Sequence, residues 1–262
     1  MACAQRSEFA GGMIRTALSC VCGGLQIIAM TFAASAQTRP SYLETPATVR
    51  VVGTLAPGVR VPLIVALPPT GASGDWLFTN LQSSIPLTGY VVLTLAGEPS
   101  RSDYAGFDRF TSWFDARLSL DLARVQSLFP IDPSRIYLLG FSLGGDLAWA
   151  LLARHPNVYR GAFVMGSRCA ATMPASALET LRARGARIVF AIGDHDIDAR
   201  IRGLRTATER VRSAHIETME LRFDGTHELP TDRVELANAL RMLFDAGAIT
   251  PPAASASVRI GP

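Results

Sequence analysis

Short apolar runs alternate with longer amphipathic segments from residue 48 to residue 244. The apolar runs are rich in Val, Ile, Leu and Phe, which is typical of buried strands. They predict strands at 48–55, 61–67, 90–95, 136–139, 161–165, 187–192 and 219–223. The amphipathic segments predict helices at about 108–129, 145–154, 199–213 and 232–244, with one short helix between 165 and 187. This alternation predicts an α/β fold, with a mostly parallel twisted sheet and helices on both faces.

One glycine-rich segment lies between a predicted strand and a predicted helix. The sequence Gly140-Phe141-Ser142-Leu143-Gly144 follows an apolar run and precedes the helix that begins at Gly145. A G-x-S-x-G motif in this context is typical of a nucleophile elbow, a tight turn that strains the serine backbone and exposes its hydroxyl. We therefore predict that Ser142 is a nucleophile. The alternative is an ordinary glycine-rich turn.

Acidic residues and a histidine follow later strands, in the order that a serine triad of this type requires. Asp194, Asp196 and Asp198 come directly after the run at 187–192, and His227 follows the strand at 219–223. Ligand sites of open parallel sheets lie at the carboxyl ends of the strands. The three elements therefore predict one site at that edge of the sheet.

The sequence contains four histidines, and their contexts differ. His155 precedes a proline at the end of a predicted helix, so we expect it at the surface. His215 has polar neighbours, which indicates solvent exposure, and His195 lies inside the acidic cluster. His227 is the one in a glycine-containing loop after the last strand, so we predict that it is the base that takes the proton of Ser142.

A segment leading into the glycine-rich motif adds a resemblance to a known family. Ile131-Asp132-Pro133-Ser134-Arg135-Ile136-Tyr137 is similar to a phrase found in secreted esterases, including relatives of feruloyl esterases and polyhydroxybutyrate depolymerases. With the motif, the acidic cluster and the histidine, the chain resembles an α/β-hydrolase of the serine esterase type over residues 48–246. The resemblance implies a fold and a reaction type, and it does not imply a substrate.

The resemblance also bears on the triad acid. Members of the family place the acid three residues after a strand-ending glycine, and Asp196 has that spacing from Gly193. Asp194 could instead begin the turn, and Asp198 could cap the following helix. Asp196 is the predicted acid, and the other two remain alternatives.

The expected oxyanion hole departs from the family pattern. Relatives carry His-Gly-x-Gly after the corresponding strand, whereas this chain has Pro68-Pro69-Thr70-Gly71. Proline has no N–H and cannot donate to a developing negative charge. The position of Thr70 matches the usual first donor, and Leu143 directly after the nucleophile would be the second. The alternative is a rigid loop without a donor role.

Composition limits the class of protein. The chain is 48% hydrophobic and 18% charged, which fits one sizeable core. All 25 basic residues are arginines and the net charge is only +3, so we expect no nucleic-acid partner. The densest arginine group lies on one predicted helix, where a solvated face is expected: Arg200, Arg202, Arg205, Arg210 and Arg212. No metal-spacing motif occurs, so we expect no metal and no cofactor, with a cation bound at 194–198 as a weak alternative.

The two ends of the chain have their own signatures. Arg15 precedes an apolar stretch, and Ala34-Ser35-Ala36 forms a small-x-small cleavage site, so residues 1–36 are predicted to be a signal peptide. Met13 could be the true start, and a retained membrane anchor is the competing interpretation. The expected mature protein is secreted or periplasmic, has no stable membrane anchor and keeps one cysteine, Cys169. The hydrolase domain is predicted over 37–249, and the Pro/Ala/Ser-rich tail at 250–262 is predicted to be disordered.

The predicted function is a serine hydrolase that cleaves carboxylic esters through an acyl-enzyme. Only about twenty residues separate the strands at 161–165 and 187–192, which leaves no room for a cap domain and predicts an open site that accepts bulky or polymeric esters. The expected partner is a small-molecule or polymeric ester substrate. Four aromatic residues could line its walls or belong to the core: Trp76, Phe78, Trp113 and Phe114. A thioesterase or a peptidase would use the same residues. A catalytically silent binding protein with this fold is the contrasting class.

Overall fold

A computed structural model describes residues 44–97 and 106–245, together with the backbone of residues 255–259. The predicted signal peptide at 1–36 lies outside the described residues. The strands are β1 (Thr48–Gly53), β2 (Val61–Leu67), β3 (Gly89–Thr94), β4 (Ile131–Phe141), β5 (Gly161–Met165), β6 (Arg187–Gly193), β7 (Glu217–Phe223) and β8 (Ser255–Arg259). The helices are α1 (Gly74–Leu81), α2 (Phe107–Leu128), α3 (Leu143–Arg154), α4 (Ala175–Ala183), α5 (Asp198–Ser213) and α6 (Arg233–Phe244).

The strands form one sheet in the order β7-β6-β5-β4-β2-β3-β1-β8. Strands β3, β2, β4, β5, β6 and β7 pair in parallel, and β1 is antiparallel to β3. Parallel neighbours require crossover connections, and the amphipathic helices between the strands supply them. The predicted fold class, a mostly parallel sheet with helices on both faces, is confirmed.

Two hydrophobic clusters fill the space between the sheet and its helices. One cluster joins the sheet to α2, α3, α4 and α5, and the other joins it to α1 and α6. The central strands are apolar on both faces, and every residue of β2 is buried, as expected for a sheet covered on both sides. The segment between β5 and β6, residues 166–186, contains α4 and no further domain. This confirms that no cap domain is inserted there.

Two elements differ from the sequence prediction. Helix α1 lies in the segment after β2, where the sequence predicted no helix. Ser73 caps this helix by accepting a hydrogen bond from the Trp76 N–H at 3.2 Å. The tail was predicted to be disordered from 250 to 262, but residues 255–259 form a strand antiparallel to β1. The edge of β1 offers backbone N–H and C=O groups that such a segment can pair with.

A helix that spans a bilayer needs about 20 predominantly apolar residues. In the ranges 44–97 and 106–245, no helix is both long enough and apolar enough to do so.

Candidate active site

The glycine-rich segment forms a sharp turn between β4 and α3. Ser142 sits at this turn with φ 56° and ψ −119°, a backbone conformation that costs a non-glycine residue about 1–3 kcal/mol. Small residues are needed beside it: a Cβ on Gly140 would lie 2.0 Å from the carbonyl oxygen of Gly144, and a Cβ on Gly144 would lie 2.7 Å from that of Leu67. The turn therefore has the strained geometry that the motif predicted.

Three of the predicted site residues form a continuous hydrogen-bonded chain. The Ser142 Oγ lies 2.9 Å from His227 Nε2, and His227 Nδ1 lies 2.8 Å from Asp196 Oδ2. The carboxylate requires a proton on Nδ1, which leaves the lone pair of Nε2 for the serine hydroxyl. The arrangement can therefore move a proton from Ser142 to His227 while Asp196 orients the ring.

The carboxylate of Asp196 is almost fully buried and held from several sides. Its Oδ1 accepts a hydrogen bond from the Ile197 N–H at 2.7 Å, and Arg200 Nη1 lies 3.4 Å from the same oxygen. The loops that carry the aspartate and the histidine are also packed against each other, because a Cβ on Gly193 would lie 2.2 Å from the carbonyl oxygen of Thr226. This close approach fixes the separation between acid and base.

The other two aspartates of the cluster point to other partners. Asp194 forms an ion pair with Arg222, with Oδ1 2.8 Å from the arginine Nε. Asp198 is the first residue of α5 rather than the residue that caps it, and it pairs with Arg202 at 3.2 Å. Among the three alternatives left open by the sequence, the structure places only the middle aspartate against His227.

The remaining histidines lie away from the nucleophile. His195 is exposed and contacts Asp224, with Nε2 2.9 Å from Oδ1. His155 follows the last residue of α3 and contacts Asp115, with Nε2 2.8 Å from Oδ1. His215 is exposed in a left-handed conformation with φ 56°. The exposure of His215 agrees with its sequence context, and His155, expected at the surface, is partly exposed.

The two predicted oxyanion donors border the same turn. Leu143 is the first residue of α3, and the first N–H groups of a helix have no intrahelical acceptor. Within residues 44–97 and 106–245, the Thr70 N–H has no backbone acceptor and its buried Oγ1 has no hydrogen-bond partner. A Cβ on Gly144 would lie 3.2 Å from the carbonyl oxygen of Pro68. The proline loop therefore packs against the elbow, where Thr70 could donate.

An open cleft of about 740 Å³ surrounds the serine and the histidine. Its described lining comprises Pro69, Thr70, Ala72, Trp76, Phe141, Ser142, Arg168, Ile197, Arg200 and His227. The ring of Phe141 stacks on the ring of His227 with centroids 4.8 Å apart and an interplanar angle of 27°. The ring of Trp76 also lies near that of Phe141, with centroids 6.4 Å apart, and Trp76 remains 41% exposed. The two rings and the imidazole form an aromatic wall.

The four aromatic residues that the sequence suggested as cleft or core residues differ in location. Trp76 lines the cleft, whereas Phe78 and Phe114 are buried in the two hydrophobic clusters. Trp113 is partly buried against the cluster on the α2 face. Burial in the core, the commoner fate of large aromatics, therefore applies to most of the set.

Sequence reasoning missed four residues that line the cleft: Phe141, Arg168, Ile197 and Arg200. The prediction that Arg200 belongs to a solvated helix face is wrong, because its side chain is only 13% exposed. Asp196 lies two residues before α5 begins, and the short separation of four residues could have indicated that Arg200 lies near it. The other four arginines of that helix are exposed, as predicted.

A second buried carboxylate supports the loop after β5. Asp146 of α3 accepts hydrogen bonds from Ser167 Oγ at 2.7 Å and from the Arg168 N–H at 2.8 Å. Burial raises the pKa of Asp146 above its ordinary value, although both hydrogen bonds act in the opposite direction. This network fixes the backbone of the segment that presents Arg168 to the cleft.

Comparison with known proteins identifies the architecture. No protein-family model and no curated protein matches the sequence. Among solved structures, the chain is similar to the Bacillus cereus carboxylesterase, with a TM-score of 0.55, 16% identity, and coverage of 76% of this chain and 94% of that one. It is also similar to esterase PE8, with a TM-score of 0.52, 21% identity, and coverage of 75% of this chain and 99% of that one. A third similar structure is FphF, a fluorophosphonate-binding serine hydrolase of Staphylococcus aureus (TM-score 0.53, 10% identity, coverage 75% and 91%).

Proposed function

The chain has the α/β-hydrolase fold, and we propose that it is a serine hydrolase that cleaves carboxylic esters through an acyl-enzyme intermediate. The observation that carries the proposal is the hydrogen-bonded chain from Ser142 through His227 to Asp196. It lies at the carboxyl ends of parallel strands and opens into a cleft, which is where this class of sheet places its ligands.

The first half of the reaction forms an ester between enzyme and substrate. The Ser142 Oγ attacks the ester carbonyl carbon while His227 Nε2 takes the hydroxyl proton. The N–H groups of Thr70 and Leu143 stabilise the negative charge on the carbonyl oxygen. Asp196 stabilises the imidazolium through Nδ1–H, and the carbon–oxygen bond to the alcohol then breaks as His227 protonates that oxygen.

The second half releases the acid. A water molecule enters the place of the alcohol, and His227 takes its proton as the oxygen attacks the acyl carbon. The same two N–H donors serve the second tetrahedral intermediate. The bond to Ser142 breaks when the serine oxygen recovers its proton from His227, which returns the enzyme to its starting state.

The shape of the cleft supports an ester whose acyl or alcohol group is bulky or polymeric. No cap domain follows β5, and the exposed Trp76 and Ile197 border the cleft. Two of the similar structures are named as esterases, which favours this reaction over thioester or peptide hydrolysis by the same residues.

We also propose that the protein is exported. The support is the segment that precedes Gln37, with Arg15 before an apolar stretch and Ala34-Ser35-Ala36 at its end. Expression of the full chain in a bacterial host, followed by fractionation and N-terminal sequencing, should give a periplasmic or secreted protein that begins at Gln37. Recovery of the intact chain in the membrane fraction would instead support the retained anchor.

Labelling with a fluorophosphonate probe tests the hydrolase proposal directly, because the probe reacts only with an activated serine. The purified protein should be labelled, and Ser142→Ala should abolish both labelling and hydrolysis of a nitrophenyl ester, by about 10⁴-fold or more. A protein that binds ligands without catalysis would not be labelled.

The histidine assignment has a matched control in the same chain. His227→Ala should be about as damaging as loss of the serine, since the triad acts as a unit. His195→Ala removes an exposed histidine paired with Asp224 and should retain most of the activity. An inactive His195 variant beside an active His227 variant would refute the assignment.

A further inference from the structure

Two arginines line the cleft that contains the proposed nucleophile. Arg168 comes from the loop after β5, and Arg200 comes from the first turns of α5. The described residues that line this cleft include no aspartate and no glutamate. A cleft lined by two arginines is an unusual environment for a substrate that is only apolar, because arginine side chains carry positive charge.

Arg200 is largely buried, and its polar contact with the described side chains is a long one. Its side chain is 13% exposed, and its closest acceptor is Asp196 Oδ1, at 3.4 Å from Nη1. Within residues 44–97 and 106–245, its buried Nε has no hydrogen-bond partner. A guanidinium group has five N–H donors, and Asp196 accepts from only one of its nitrogens, so other donors of Arg200 remain for an acceptor in the cleft.

Arg168 is held next to this helix by close backbone packing. A Cβ on Gly203 would lie 1.9 Å from the carbonyl oxygen of Arg168, so α5 contacts the Arg168 segment directly. Gly203 is three residues after Arg200 and lies on the same face of α5. Both guanidinium groups also lower the pKa of Asp146, against the larger effect of burial, which places both near the same carboxylate.

Two described carboxylates near the arginines, those of Asp146 and Asp196, are buried. Asp146 is 5% exposed and accepts hydrogen bonds from Ser167 Oγ and the Arg168 N–H. Asp196 is 7% exposed and accepts from His227 Nδ1 and the Ile197 N–H. Neither lines the cleft. A ligand in the cleft therefore lies beside the two arginines rather than beside these carboxylates.

From these observations we infer that the ester substrate carries a carboxylate, which Arg168 and Arg200 bind while Ser142 attacks the ester carbonyl. The inference rests on the proposed esterase function and specifies its substrate class. Guanidinium groups match the geometry of a carboxylate and bind it through charge-assisted hydrogen bonds. The apolar part of the same substrate would lie against Trp76 and Ile197.

Matched pairs of esters test the inference on the whole protein. For a carboxylate on the acyl side, the pair is the mono-para-nitrophenyl ester of hexanedioic acid and para-nitrophenyl hexanoate. For a carboxylate on the alcohol side, the pair is para-butyryloxybenzoate and its methyl ester. In at least one pair, we expect the anionic ester to have the higher kcat/KM. Its advantage should fall as salt is raised, because screening weakens charge pairing.

Arg168→Gln tests whether Arg168 causes the preference for the anionic ester. It should lower kcat/KM for the anionic ester of the preferred pair by about 10- to 100-fold, the range expected for loss of a charged hydrogen bond. The ratio of kcat/KM for the anionic ester to kcat/KM for its neutral partner should fall by a similar factor, and Arg168→Lys should recover part of the loss. Arg202→Gln is the control: it removes the same charge from the exposed surface of α5, where Arg202 pairs with Asp198, and it should leave both rates unchanged.

The outcomes separate this inference from the proposed function. If neither neutral nor anionic esters are hydrolysed and the fluorophosphonate probe does not react, the esterase proposal itself fails. If neutral esters are hydrolysed but neither pair shows an anionic preference in the wild type, the inference is wrong and the esterase proposal stands. An anionic preference that persists in Arg168→Gln and at high salt would also overturn it. The salt dependence of the wild type decides the question even if the variant does not fold.

Discussion

Substitution of Gly166, which packs against the histidine, should reduce turnover without replacing any residue of the proposed triad. Gly166 follows β5 with φ 54°, and a Cβ there would lie 2.9 Å from His227 Cε1, 3.1 Å from His227 Nδ1 and 3.0 Å from Phe141 Cε2. Real Cβ atoms do not tolerate a contact of 2.9 Å, so the imidazole of Gly166→Ala must move. The ring is held at 2.8 Å by Asp196 and at 2.9 Å by Ser142, and the movement lengthens at least one of these hydrogen bonds.

Gly166→Ala should lower both the stability of the protein and its kcat. The left-handed backbone costs an alanine about 1–2 kcal/mol of stability. Displacement of the base should lower kcat by about 10²-fold, since misplacement by about 1 Å can have that effect. Nitrophenyl ester kinetics measure the change in kcat, and urea unfolding measures the change in stability.

Gly185→Ala separates the effect on stability from the effect on kcat. Gly185 also has a left-handed backbone, with φ 62°, but its Cβ would meet only the flexible guanidinium of Arg160, at 3.3 Å. This variant should lose a similar amount of stability and keep its kcat. If Gly166→Ala turns over as fast as Gly185→Ala, the contact with His227 does not control the position of the base, and the reasoning fails.

Three further predictions concern the acid, the aromatic wall and the buried carboxylate. Asp196→Asn should lower kcat by about 10⁴-fold, while the kcat of Asp194→Asn should stay near that of the wild type. The reverse result would identify Asp194 as the acid of the triad. Trp76→Ala should raise KM for aromatic esters by about fivefold, from the loss of about 1 kcal/mol of ring contact, and an equal rise for a small acetate ester would contradict this role. The pKa of Asp146 is raised in the folded state, so its contribution to stability should fall as pH rises from 3.8 through the raised value. Asparagine does not titrate, so the free energy of unfolding of the wild type, measured in urea relative to that of Asp146→Asn, should fall across that range. An identical pH dependence of the two proteins would exclude this effect of Asp146.

The sequence by itself determined the architecture and the order of the site residues. Apolar runs and amphipathic segments have different periods, so the alternation of strands and helices could be predicted from local pattern alone. The motif around Ser142 could be recognised because a sharp strand-to-helix turn excludes side chains at the glycines on both sides. The location of His227 after the last strand of the parallel series followed from the same alternation.

Residue identity alone did not decide between the aspartates. Asp194, Asp196 and Asp198 all follow β6 within five residues, and each could have faced the histidine. The tertiary structure separates them because β7 brings Arg222 to Asp194, the start of α5 turns Asp198 toward Arg202, and the close contact of the two loops at Gly193 leaves Asp196 facing His227.

Only the tertiary structure decided which side chains surround the nucleophile. Phe141 was visible in the motif, but nothing local indicated that its ring stacks on His227, 86 positions further along the chain. Arg168 and Arg200 belong to different elements, and they line one cleft because α5 packs against the loop after β5 at Gly203. Contacts of this kind depend on how elements pack across the sheet. A linear sequence specifies that packing through the whole core rather than through any local pattern.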